Sequence, residues 1–302
     1  MTKHVAVLMG GWSVERDVSL VSGKAVARAL AERGYRVSEL DVTRAVAHEL
    51  SRLRPDVAFN ALHGRVGEDG CIQGLLEVLG IPYTHSGVLA SALAMNKPVA
   101  KQLFERAGLR CPEGAVIRFA ELKAKAPFEP PFVVKPLNEG SSVGVEIVFG
   151  RQELHAIADW PFGADVLVER YVPGREIQVA VMGERAIGAI EIRPEGRFYD
   201  YEAKYTEGRA RHLMPAPITS KAYEEALALA LAAHRTLGCR GVTRADLRYD
   251  DTSGEPGRFY LLEINTQPGM TPLSLVPEIA AHAGIDFGTL VSWLVEAARC
   301  DA

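Results

Sequence analysis

GVTRADLRYDDTSGEPGRFYLLEINTQPGMTPLS, residues 241–274, holds two runs of strand character on either side of the turn-rich DDTSGEPG. If the hairpin is symmetric about that turn, Asp246 lies opposite Glu263 and Arg244 opposite Asn265. Side chains alternate along a strand with period two, so Arg244 and Asp246 share a face, Glu263 and Asn265 share a face, and those faces coincide. Two carboxylates and a carboxamide, without histidine or cysteine, are the hard oxygen donors that Mg²⁺ takes up together with substrate phosphates. The bland alternative is an ion-pair ladder of Arg244 with the acids. LLEIN, however, sets Glu263 in an apolar strand expected to be buried, where an unpaired carboxylate is costly, and this favours the metal reading.

Upstream, FVVKPLNEGSSVGV at 132–145 delivers Lys135 at the end of an apolar β-branched run, followed by a loop with Gly140, Ser141, Ser142 and Gly144. A Walker loop has the opposite order, glycines first and lysine after, and opens a helix. Here VEIVF returns as a strand, so the unit is strand, flexible loop, strand. Backbone N–H groups in such a loop can close over a polyphosphate while Lys135 neutralises it from below. A hairpin turn with a surface lysine reads about as well on this stretch alone.

The chain has 302 residues, enough for two or three domains, and a net charge of -4 that argues against nucleic-acid binding through bulk charge. Cys71, Cys111, Cys239 and Cys300 lie far apart without zinc spacing, which reads as reduced thiols. No signal peptide and no apolar run of membrane length is evident, so no membrane partner and a cytoplasmic location are expected.

Residues 1–86 alternate strand and helix: HVAVLMGG, a helix with Val18, Val21, Ala25, Ala29 and Leu30 on one face, YRVSELDV, a polar helix to about Arg54, and PDVAFNALHG. A parallel sheet follows from that layout, with ligands beyond the carboxyl ends of its strands, at the loops 10–19 and 63–70. By themselves, Glu15 there reads as a first-turn acid and His63 as a satisfied strand-end histidine. From 87 to 172, a helix ended by Gly108 precedes the strands GAVIRF, PFVVKP, VEIVF and DVLVERYV, an α+β lobe on an antiparallel sheet. Spacing alone reads Lys97, near that helix start, as a solvated lysine. From 173 to 302 come EIQVAVMG, RAIGAIEIRP, a long polar loop at 198–217 that reads as a lid, a helix from Thr219 or Ser220 to Leu237 with Leu227, Ala230 and Leu231 on its apolar side, and the hairpin.

Taken together, GGWSVERDVSLVSG, HGRVGEDG, MNK, VVKPLNEGSSVGV, YDYEAKY, TRADL and LLEINTQPGMTPLSLVP resemble the D-alanine:D-alanine ligases of the ATP-grasp superfamily over nearly the whole chain. The resemblance implies a three-lobed fold, an N-terminal parallel-sheet domain and two lobes clasping ATP, and the joining of two D-alanines through an acyl phosphate for peptidoglycan. It implies that Lys97 and Lys135 contact the phosphates of ATP under the loop of Gly140, Ser141, Ser142 and Gly144. Adenine would lie against Glu169, Arg170 and Val172 of ERYV, with Glu176 on the ribose. Asp246, Glu263 and Asn265 would hold two Mg²⁺ or Mn²⁺ ions, and LLEINT in place of the common LLEANT changes only the opposite face. Arg244 and the Gly269 N–H resemble oxyanion donors; Glu15, Ser141 and Tyr205 resemble a hydrogen-bonded chain over the site. His63 would stand near the first carboxyl group, and Ser274, Leu275 and Lys204 near the second. A homodimer and activation by K⁺ go with the same resemblance.

Ligases using D-serine or D-lactate in second place are the nearest alternative, although EAKY at 202–205 resembles the dipeptide-forming type. A nucleotide-binding scaffold without catalysis is the alternative from another class, and it expects a missing phosphate lysine or metal ligand. None is missing. Glutathione-synthetase-like and biotin-carboxylase-like activities have no place for GGWSVERDVS and HGRVGEDG.

Overall fold

The computed structural model describes residues 2–194 and 209–301, so Tyr199, Tyr201, Lys204 and Tyr205 lie outside the described residues. The first five elements are β1 (His4–Met9), α1 (Arg16–Glu32), β2 (Arg36–Asp41), α2 (Val46–Leu53) and β3 (Val57–Asn60). They form a parallel sheet in the order β2-β1-β3, and every residue of the central β1 is buried, as a strand covered on both faces requires.

The buried face of α1 differs from the apolar stripe expected of it. Val21 is 50% exposed, and Ser19, Ser22 and Gly23 are buried in its place. A Cβ on Gly23 would stand 2.5 Å from the Cβ of Met9, so the glycine lets α1 lie close on β1. The two serines then reach the strand-end loops: Ser19 Oγ donates to the Ala61 carbonyl at 2.7 Å, and Ser22 Oγ lies 3.2 Å from His63 Nε2.

Next follow α3 (Cys71–Leu79), α4 (Val88–Met95) and α5 (Lys97–Arg106). Asn96 caps α5, its side chain accepting from Val99 N at 3.3 Å, so the helix begins at Lys97 and stops short of Gly108, whose φ is 80°. Then β4 (Gly114–Arg118), α6 (Phe119–Leu122), β5 (Phe132–Lys135), β6 (Glu146–Val148), α7 (Arg151–Ala156) and β7 (Asp165–Arg170) build an antiparallel sheet in the order β4-β7-β5-β6.

The last sheet is antiparallel in the order β10-β9-β8-β11-β12, from β8 (Arg175–Met182), β9 (Arg185–Pro194), β10 (Ala210–Leu213), β11 (Val242–Asp250) and β12 (Arg258–Asn265). Its helices are α8 (Ser220–Thr236), α9 (Leu275–His282) and α10 (Phe287–Glu296). β10 falls inside the stretch expected to be loop; ARHL has no β-branched residue to announce a strand, and the ladder to β9 holds it. Thr219 caps α8, and the helix buries Ala222, Ala226, Ala230 and Ala233, while Leu227 and Leu231 are only partly buried.

Two cores cross the sheets. Val5, Val7 and Phe59 of the parallel sheet pack with Leu275, Ile279, Leu290 and Leu294 of α9 and α10 and with Ala180 and Ile190 of the five-stranded sheet. Ala94, Ala100 and Phe104 of α4 and α5 pack with α8 and β11. That second core fixes the direction in which α5 presents Lys97. Among the described residues no helix is long and apolar enough to cross a membrane.

Candidate active site

The hairpin register is the one expected: Asp246 pairs with Glu263 and Arg244 with Asn265. Beyond Asp246 the register shifts, a bulge of the kind that turns side chains at functional sites. Glu263 is less buried than its apolar surroundings suggest, with a side-chain exposure of 27%, because it faces an opening between the sheets. Ile264, on the other face, is buried in the core. Arg244 grips Asp246 with both arms of the guanidinium, Nε to Oδ1 at 2.7 Å and Nη2 to Oδ2 at 2.9 Å. The Asn265 side-chain oxygen accepts from Gln267 N at 2.9 Å.

Among the described residues no three His, Cys, Asp or Glu side chains gather as a metal group. The hairpin offers instead two carboxylates on paired strand positions, Asp246 and Glu263, and the carboxamide of Asn265. Such a set suits a hard divalent cation that keeps water and phosphate oxygens among its ligands.

Lys97 is a buried lysine and not a solvated one. It is 8% exposed, its Nζ donates to the Glu139 carbonyl at 2.5 Å, and it stands 3.4 Å from Glu263 Oε2. Lys135, at the end of β5, pairs with Glu169 Oε2 at 2.5 Å. The other oxygen of Glu169 accepts from Lys101, a residue the sequence reading passed over although it lies four positions after Lys97 on the same helix face. Burial pushes the Glu169 carboxyl up, but Lys135 and Lys101 together outweigh this and hold it below the ordinary glutamate value.

Around these groups lies a cleft of about 150 Å³, walled by Val133, Val143, Val145, Ile147, Tyr171 and Leu262 and floored by Lys97, Lys135 and Glu169. Val172 and Glu176 also line it, Glu176 facing Arg248 across the ladder. The Arg170 side chain turns outward, with Nε donating to Glu113 at 2.5 Å and the guanidinium 4.6 Å over the Phe128 ring, so any contact with a ligand falls to its main chain.

A second, more polar cleft of about 60 Å³ shares Lys97, Glu139 and Glu263 with the first. Its walls bring together Glu15, His63, Gly140, Ser141, Arg244, Asn265 and Gly269 from all three sheets. Glu15 is buried with its carboxylate turned away from the α1 backbone, and it accepts a hydrogen bond from Ser141 Oγ. Ser141 and Ser142 hold φ of 49° and 59°, left-handed conformations that carry the loop over the opening. His63 lies 3.3 Å from Glu68 through Nδ1.

Ser274 stands at the N-cap position of α9, but its side chain does not cap the helix: Oγ accepts from Thr271 N at 2.9 Å, and a Cβ on Gly269 would come within 2.8 Å of that oxygen. The Leu275 side chain is buried in the core, so only its backbone N–H, in the first turn of α9, can serve a ligand. Gln267 was also missed. It is buried, donates to the Leu62 carbonyl and accepts from Asn60, tying the ends of β12 and β3 together.

The family model described as D-ala D-ala ligase C-terminus matches residues 105–296, and that for the N-terminus matches 43–86. The D-alanine--D-alanine ligase of Paramagnetospirillum magneticum is 60% identical, covering 100% of both chains, and that of Parvibaculum lavamentivorans is 57% identical over 99% of this chain and 98% of its own. Among solved structures, D-alanine--D-alanine ligase from Bacillus anthracis complexed with ATP superposes with a TM-score of 0.82 at 30% identity, covering 98% of this chain and 97% of that one. VanG D-Ala:D-Ser ligase from Enterococcus faecalis gives 0.83 at 28% identity, covering 98% and 99%. With the paired clefts, the three sheets and full-length likeness in agreement, the chain belongs to the D-alanine:D-alanine ligase family and has its ATP-grasp fold.

Proposed function

We infer that this protein joins two D-alanines into D-alanyl-D-alanine with ATP, releasing ADP and phosphate, and so supplies a peptidoglycan precursor. The observation that carries the reading is the meeting of two clefts at Lys97 and Glu263, one with apolar walls suited to a purine, the other polar and suited to small zwitterions.

A carboxylate does not react with an amine, so activation comes first. The γ-phosphoryl group passes from ATP to a carboxylate oxygen of the first D-alanine; the bond to ADP breaks and an acyl phosphate forms. Lys97 and Lys135 stand where phosphate charge gathers and offset it. Asp246, Glu263 and Asn265 would hold Mg²⁺, which when bound neutralises phosphate oxygens. In the same reading Glu169 accepts from adenine and Glu176 from the ribose, both along the nucleotide cleft.

The second D-alanine loses its ammonium proton and attacks the acyl carbon, and phosphate leaves from the tetrahedral oxyanion. Arg244, oriented by its two bonds to Asp246, and the Gly269 N–H are the donors assigned to that oxyanion. Glu15, held to the loop through Ser141, takes the first ammonium, and His63 stands by the first carboxyl. Ser274 Oγ and the Leu275 N–H receive the second carboxylate at the start of α9. Lys204 and Tyr205 complete the assignment. A homodimer, a cytoplasmic location and activation by K⁺ belong to the same reading; sedimentation, fractionation and a K⁺ titration test them.

The D-Ala:D-Ser relative at 28% identity makes D-serine the alternative second substrate, and the D-alanine-named relatives at 57–60% favour D-alanine. The test is coupled ADP release with D-alanine, L-alanine, D-serine and D-lactate, products identified by mass. Dipeptide from D-alanine supports the reading; preferential ester formation in competition with D-lactate at neutral pH refutes it.

A further inference from the structure

Lys101 has no part in the chemistry above, yet it is as buried as the residues that do. Its Nζ donates to the Pro112 carbonyl at 2.7 Å and to Glu169 Oε1, while Lys135 holds Glu169 Oε2. All three side chains are less than a tenth exposed. The sheet makes room for them: Gly114 pairs with Glu169, and a Cβ there would stand 2.8 Å from Lys101 Nζ and 3.0 Å from Glu169 Cγ.

Two cations sharing one buried carboxylate is an arrangement with a consequence. A lone buried pair is closed, and drawing one partner away strands the other charge in a poorly solvated place. Had Glu169 only Lys135, an incoming phosphate would have to break that pair and leave the carboxylate without a counter-charge. With Lys101 on the other oxygen, Glu169 keeps one partner throughout.

We propose that Lys101 is a positioning residue of the nucleotide cleft: it holds Glu169 by one oxygen so that Lys135 can exchange from the other oxygen to a nucleotide phosphate. Glu169 lines the same cleft, and the oxygen that Lys135 vacates is the one left to accept from the exocyclic amine of adenine. This rests on the nucleotide reading given above. Of the two cations that hold the Glu169 carboxyl below its ordinary value, Lys135 and Lys101, the second stays in place when the first leaves, so the carboxylate remains an acceptor.

The test is a calorimetric titration with Mg·ADP of the wild type, K101M, E169Q and the double variant, repeated with the 6-oxo analogue inosine diphosphate. K101M is expected to lose about tenfold or more in ADP affinity, the scale for truncating one member of a buried charge pair, and to prefer ADP over inosine diphosphate less than the wild type does. In the E169Q background, with no carboxylate to hold, the same change is expected to cost less than about threefold, since the two sites act through one contact. An equal loss in both backgrounds, or a K101M protein that binds ADP and discriminates as the wild type does, would overturn the proposal. If K101M does not fold, E169Q against the double variant still decides, a tenfold loss there counting against it. Failure of the wild type to bind ADP would overturn the nucleotide reading itself, and this proposal with it.

Discussion

Lys97 Nζ stands 3.4 Å from Glu263 Oε2 at the wall shared by the two clefts, joining the start of α5 to β12. In the proposed reaction the cation at that junction serves the phosphoryl group in transit. Lys97→Met is expected to lower kcat by about two to three orders of magnitude, the scale for losing one preorganised donor. The melting temperature should fall only modestly, because the Glu139 carbonyl loses its donor while the partly exposed Glu263 keeps access to water. Steady-state rates and a melting curve on the same preparation check this, and a variant that melts early but retains kcat would contradict it.

Arg244 is held in place by Asp246 and reaches the polar cleft. Arg244→Ala is expected to reduce kcat about two to three orders of magnitude as an oxyanion donor is lost, with Arg244→Lys intermediate because a point charge cannot reproduce the planar fork. An unchanged kcat in the alanine variant would remove Arg244 from the chemistry.

Ser141 donates to Glu15 across lobes that are far apart in the chain. Ser141→Ala is expected to lower kcat/KM for the first D-alanine about tenfold or more, in line with a hydrogen bond to a charged group, and to leave ADP affinity nearly as it was. Initial rates at varied D-alanine, with ADP titration alongside, separate the two. Equal losses in both would mean that the serine supports the loop as a whole.

How much of this was legible from the residues depends on how local the signal was. The register of Asp246 with Glu263 needed only period-two alternation about a turn, and the parallel sheet needed only the succession of strand and helix. Lys101 carried a local signal, its four-residue spacing from Lys97, but its partner Glu169 is 68 residues away and only the folded sheet brings them together. Gln267 is tied to Leu62 and Asn60, which no local pattern announces. Val21 was misplaced because apolar periodicity cannot register that Gly23 and two serines fit closer to β1 than a larger side chain could.

His85 offers a pH signature for the fold. Burial pushes its pKa down to about 3 from the ordinary 6.5. Below pH 6.5 the unfolded chain takes up a proton that the folded chain refuses, so stability is full above that pH and is lost on acidification towards about 3. The slope from one such group is at most about 1.4 kcal/mol per pH unit. Urea midpoints at pH 7, 6 and 5 should fall more steeply in the wild type than in His85→Asn, a residue chosen because position 85 has a φ of 68°. Parallel slopes would contradict the buried neutral imidazole.

In the proposed reaction the two clefts meet so that the phosphoryl group passes from nucleotide to substrate carboxylate. The most direct test uses D-alanine labelled with ¹⁸O in its carboxylate, incubated with Mg·ATP, with mass analysis of the phosphate and dipeptide released. Transfer through an acyl phosphate predicts that each phosphate carries one labelled oxygen from the first D-alanine, in step with the dipeptide formed. Unlabelled phosphate appearing alongside labelled dipeptide would contradict it.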